Sequence, residues 1–111
     1  MSSRTVIDPA THHLVSYVAL THSTTPQLVL SGCRHPRVSM VRALCCWLLY
    51  HEYEFGLSEI GRALHLDHSS VDYAVRRVQR DAALYHDARD SMTQLRALAT
   101  AALPAVREHT A

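Results

Sequence analysis

Lysine is absent from this chain: all 11 basic residues are arginine, set against 10 acidic residues for a formal charge of +1. So even a balance generates no strong field for concentrating polyanions, and charge alone does not point to nucleic acid. Any anion contacts must use the planar guanidinium fork, which suits phosphate oxygens and guanine edges. Also missing is an apolar run near the roughly 18 residues that span a bilayer. The longest candidate, Ala43 to Tyr50, fits a buried helix, and membrane insertion is excluded. The three cysteines, Cys33 and the adjacent Cys45 and Cys46, are an odd number without a signal-peptide pattern. Free thiols in a reducing, cytoplasmic compartment are therefore expected.

Chemistry-bearing patterns are equally sparse. The nine histidines include no His-x-x-x-His pair, and Cys45 and Cys46 point about 100° apart on a helix, too divergent to chelate one ion. No metal or other cofactor is expected. Cys33 and His35 are the nearest approach to a catalytic pair, but no orienting acid or oxyanion hole accompanies them, so the sequence reads as a non-enzyme. Repeats and low-complexity tracts are lacking too.

What is present is helical periodicity. A chain of 111 residues at 48% hydrophobic composition supports one domain with one core. Residues 1–8 lack periodicity and read as a flexible N-terminus, residues 9–103 as the domain, and residues 104–111 as a flexible C-terminus. Leu14, Tyr17, Val18 and Thr21 share a helix face after Pro9, and Pro26 to Leu30 fits one short helical turn. Cys33 to Val38 reads as a basic loop. It leads into a long helix from about Arg37 to Glu54, ended by Gly56, with Val41, Leu44, Cys45, Leu48 and Leu49 inward and Val38 and Trp47 beside them. A short helix from near Ser58 buries Ile60, Ala63 and Leu64. A last helix, about Asp87 to Leu103, uses Met92, Leu95, Leu98, Ala99 and Ala102 and stops before Pro104. Its Ala- and Leu-rich face serves equally as a packing or a dimer surface.

Between these lies the most informative stretch. Asp67 is placed as an N-cap for the amides of Ser69 or Ser70, and the helix after it turns Val71, Ala74, Val75 and Val78 inward. Ser69, Ser70, Asp72, Tyr73, Arg76, Arg77 and Arg80 face outward. Small hydroxyls at the N-terminal end with arginines a turn or two later are what a helix entering the major groove requires. A solvated arginine face is the plain alternative, and Tyr73 fits either a phosphate contact or packing on the last helix.

The residues in this stretch narrow the reading further. Leu57-Ser58-Glu59-Ile60-Gly61 and Leu66-Asp67-His68-Ser69-Ser70-Val71 resemble the L-P-E-I-G and R-D-H-T-T-V signatures of the C-terminal DNA-binding domain of the bacterial replication initiator DnaA, with one residue fewer between them. Leu30-Ser31 and Arg42, fifteen positions before Leu57, fall at that family's basic loop and long helix. The resemblance covers about residues 10 to 100. It implies an all-α bundle of five or six helices containing a helix-turn-helix, DnaA domain IV-like and TrpR-like. It also implies double-stranded DNA as the partner, a cytoplasmic, nucleoid-associated location, and a role in regulating replication initiation or transcription. Base contacts would come from His68, Ser69, Ser58 and Asp67. Phosphate contacts would come from Arg34, Arg37, Arg42, Ser70, Tyr73, Arg76, Arg77 and Arg80. No G-x-x-x-x-G-K-[ST] loop is present, so the resemblance is to the DNA-reading module and not to the ATPase. Three positions depart from the pattern: Met40 stands for a minor-groove arginine, Leu66 for the arginine before Asp67, and Asp72 for an apolar residue. These departures motivate an alternative, a protein-interaction adaptor in replication control that has lost sequence-specific DNA binding and binds a replication protein.

Overall fold

The computed structural model describes the backbone of residues 9–110 and the side chains of residues 9–98. Among them there are six helices and no strand: α1 Pro9–Thr21, α2 Pro26–Val29, α3 Pro36–His51, α4 Leu57–Leu64, α5 His68–Arg80 and α6 Ala82–Thr110. The all-α bundle expected from the periodicity is thus the fold. Prolines open the first three helices, where a missing N–H costs no intrahelical bond and the fixed φ is already helical. Thr25 Oγ1 accepts from the Leu28 amide at 3.2 Å, and His35 Nδ1 accepts from the Arg37 amide at 3.2 Å, so α2 and α3 each begin on a side-chain cap.

The hub is α3, which packs against all five other helices. Every residue from Ala43 to Leu49 is buried, so this helix is apolar around its whole circumference, as a central helix must be. Val41, Leu44, Cys45, Leu48 and Leu49 form the expected face, and Trp47 is core, with its ring edge-on to Tyr85 of α6 at 5.8 Å. On α1 the inward set is Thr11, Leu14, Val15, Val18 and Ala19, while Tyr17 is half-buried and Thr21 exposed.

Three boundaries differ from the periodicity reading. First, α3 ends at His51 and not near Glu54. Glu54 takes the left-handed backbone (φ 58), and Gly56, with φ −74, caps the start of α4. The reason is packing: the Phe55 amide closes back on the Leu49 carbonyl at 3.0 Å, laying the half-buried rings of Tyr53 and Phe55 against the core. Second, α6 begins at Ala82, not Asp87, because Asp81 Oδ1 accepts from the amides of Ala83 (3.0 Å) and Leu84 (3.2 Å). Its buried stripe is Leu84, Ala88, Ser91 and Leu95, and Leu98 is 50% exposed. Third, α6 runs on through Pro104 to Thr110, since proline removes one backbone donor without obliging the chain to leave the helix. Residues 1–8 and the side chains of Ala99 and Ala102 lie outside the described residues.

The α4–α5 connection is built by local chemistry. His65 closes α4 in the left-handed region (φ 61), and the Leu66 amide donates to the Gly61 carbonyl at 2.8 Å. Leu66 packs half-buried on the core. Asp67 then caps α5 as expected, its Oδ1 accepting from the Ser70 amide at 2.7 Å and from Ser69 Oγ at 3.0 Å.

The Ser70 backbone bond, followed by the Ser70 and Ser69 side chains, holds the Asp67 carboxyl below the usual carboxylate range. A group depressed in the folded state lends stability that is complete above its unfolded pKa of about 3.9 and is lost as pH falls through the folded value. Asp67→Ala is therefore expected to lower the thermal midpoint by a few degrees at neutral pH, with the gap to the wild type closing below about pH 4. Melting curves across pH 2 to 7 check it. A gap that stays constant through the acid range removes the carboxylate from the cap.

Candidate nucleic-acid interface

On α5, Val71, Val75 and Val78 are buried and Ala74 is half-buried, which fixes the helix on the hub and determines what points out. At 100° per residue, Ser69, Tyr73, Arg76 and Arg80 line up along the outer ridge, and all four are exposed. Tyr73 is 63% exposed, which decides against packing on α6. His68 heads the ridge, and Ser58 is exposed on the neighbouring α4.

Beside the ridge, α5 forms one wall of a cleft of about 740 Å³ whose other walls are the Leu30–Arg34 loop, the first half of α3 and the His65–Leu66 turn. Arg34, Arg42, Ser69, Ser70, Tyr73 and Arg77, residues expected at the interface from three separate stretches of sequence, line it together. No aspartate or glutamate is among the lining residues. A chain nearly neutral overall thus gathers three arginines on one concave surface, while the partial positive charge of the α5 N-terminus is taken up by its own Asp67 cap. Arg77 is half-buried, with Nη1 3.4 Å from Ser39 Oγ, a weak contact that leaves most of its donors facing the cleft.

Neither a known protein-family model nor any curated protein matches the chain.

Several expected residues lie elsewhere. Arg37 points towards the α1–α2 connection, Nη1 3.4 Å from the His22 carbonyl. Asp72 and Arg76 form an i,i+4 ion pair at 3.1 Å, with Asp72 on the edge of α5 away from the cleft. Such an exposed pair is worth only about 0.3–0.5 kcal/mol. Arg80 is exposed in the last turn of α5, and His68 and Ser58 also lie outside the cleft lining. Asp67 directs its Oδ1 at its own helix. Met40 packs half-buried against the core, as does Leu66, which also lines the cleft.

Arg42 has the most altered placement. Its Nε donates to the Val29 carbonyl at 2.8 Å, and its Nη2 contacts the carbonyls of Leu28 (3.2 Å), Ser31 (2.9 Å) and Cys33 (3.1 Å). Two of its three guanidinium nitrogens are thus engaged by the protein itself. Ser39 and His65 also line the cleft, and the sequence reading did not include them. Ser39 sits one turn before Arg42 on α3, so helical spacing from a candidate residue is the signal that finds it. His65 follows only from the left-handed close of α4.

Among the described residues no group of three His, Cys, Asp or Glu is arranged to hold a metal ion, and no helix is long and apolar enough to cross a membrane. All three cysteines are free. Burial pushes the Cys46 thiol up to about 12 and the Cys45 thiol higher still, so both remain protonated core filler.

Proposed function

We propose that this chain is a double-stranded-DNA-binding module of the DnaA C-terminal kind, regulating replication initiation or transcription. The observation that carries the reading is the acid-free, three-arginine cleft set directly against the exposed N-terminal half of α5. A 13-residue helix is about 20 Å long, and a B-DNA major groove about 12 Å wide admits it. In this reading the α5 ridge enters the groove while one sugar-phosphate strand runs along the cleft. His68, Ser69 and Ser58 approach base edges, and the serines, lacking threonine's methyl, make the readout tolerant. Ser70, Tyr73, Arg34, Arg77 and Arg80 supply phosphate contacts through their side chains. Asp67 acts one step back, orienting Ser69 and the helix end. Arg76 reaches phosphate only by leaving Asp72.

The test is fluorescence anisotropy with one duplex carrying an initiator box and one of random sequence, titrated at low and moderate salt. Salt-dependent binding to both, tighter for the box, is expected. Failure to bind either duplex at any salt sinks the reading. The adaptor alternative draws on the inward Arg42 and the core-packed Met40 and Leu66, which together leave fewer free cations than a strong DNA binder uses. It requires that His68→Ala and Arg77→Ala each leave biological activity intact.

A further inference from the structure

We infer that Arg42 is a positioning residue: it shapes the Ser31–Arg34 loop that presents Arg34 to the cleft, and does not itself serve as a phosphate ligand. The functional half of this inference rests on the DNA reading above. The four-residue α2 ends with carbonyls that have no continuing helix to receive them. The loop begins to wire itself, with Ser31 Oγ donating to the Leu28 carbonyl at 2.7 Å and accepting from the Cys33 amide at 3.1 Å. What ties it to the rest of the protein is the Arg42 fork, which reaches across from α3 to the carbonyls of Leu28, Val29, Ser31 and Cys33. The last of these carbonyls belongs to the residue directly before Arg34.

Gly32 in the middle of this loop is exposed, with open space where a side chain would stand, so the tip itself makes no packing contact through that residue. Arg34 and His35 are exposed. Between Leu30, packed on the core, and His35, which caps α3, the guanidinium is the side chain that hydrogen-bonds the loop from another element. Its planar geometry is essential, because a lysine ammonium is a single point of charge and cannot span acceptors on both sides of a turn. Charge and shape thus make opposite predictions for one conservative change. If Arg42 neutralised phosphate, lysine would serve; if it clamps the loop, lysine fails.

Two measurements on the full chain decide it. Without DNA, Arg42→Lys is expected to speed amide hydrogen exchange across residues 28–35 by about tenfold or more while leaving α5 unchanged. With the duplexes above, Arg42→Lys should match Arg34→Ala, each reducing the salt slope by about 0.9. The double variant should lose no more than about twofold beyond either single one, because the two residues act through the same contact. Arg42→Lys binding that stays close to wild type, or losses that multiply in the double variant, overturns the positioning role. Unchanged exchange in residues 28–35 overturns the clamp itself. A wild type that binds no duplex overturns the DNA reading and with it Arg42's part in binding, a failure distinct from that of the clamp. Arg34→Ala leaves every Arg42 bond in place, so it reads the loop contact even if a larger truncation such as Arg42→Ala does not fold.

Discussion

Gly61→Ala is expected to lower the midpoint of thermal unfolding by roughly 10 °C, although alanine is the better helix former. Gly61 lies inside α4 with ordinary helical backbone, where alanine normally gains about 0.5–1 kcal/mol. Here a Cβ would stand 2.5 Å from the Leu66 carbonyl oxygen, and that atom is backbone, unable to swing aside. Moving it means opening the bond between the Leu66 amide and the Gly61 carbonyl and shifting the turn that sets Asp67 and the start of α5. Overpacking of this kind costs about 1–3 kcal/mol, which exceeds the helix gain, and each kcal/mol is worth about 4–8 °C in a domain near 100 residues. Circular dichroism melts of the two proteins measure it. A midpoint that rises by a few degrees would show that the turn relaxes freely and that the glycine is dispensable.

Arg34→Ala combined with Arg77→Ala is expected to cut duplex affinity by about a hundredfold at moderate salt, taking each lost charge-assisted bond as about 1.5 kcal/mol. The log-log salt slope should fall by about 1.8, twice the value for one phosphate. These two arginines come from different elements, the basic loop and α5, and belong to the same cleft. Because neither is in the core, the melting temperature should stay within about 2 °C of wild type. Removing them together therefore separates binding from folding. Anisotropy over a salt series gives both numbers. An affinity loss with no change in slope would mean that the arginines touch something other than phosphate, and no loss at all would leave the cleft without a role in DNA binding.

The parts of this structure legible in the sequence are those decided by neighbours along the chain. Asp67 followed by two serines and a Val71-Val75-Val78 stripe specifies a capped, one-sided helix whatever surrounds it, and α5 has that form. The same logic put Leu44, Leu48 and Leu49 inside. Legibility failed where distant contacts chose between local options. Gly56 looks like a helix terminator, yet the left-handed positions among the described residues are Ser23, Glu54 and His65, none of them glycine. Each is held there by the chain folding back over its own helix end. Leu98 fits the apolar spacing of α6, yet it is 50% exposed although Leu95, one turn earlier, is buried, so spacing alone overestimates burial. Arg42 is the sharpest case. Its position in the motif suggested phosphate, and only the path of the Leu28–Cys33 backbone, which periodicity does not describe, shows what its guanidinium holds. Tyr73 fits either of two partners by spacing, and only its 63% exposure in the fold decides against packing on α6.

The buried pair Cys45 and Cys46 gives the molecule its own stability gauge. Both thiols sit at 0% exposure in the middle of the hub helix, protonated, while Cys33 is half-exposed on the loop. A thiolate reagent can modify Cys33 in the folded state, but it reaches the other two only when α3 separates from its neighbours. The slow phase of alkylation then counts global openings of the domain, with no residue changed. Because α3 touches every other helix, anything that tightens the fold, a bound duplex included, slows that phase in proportion.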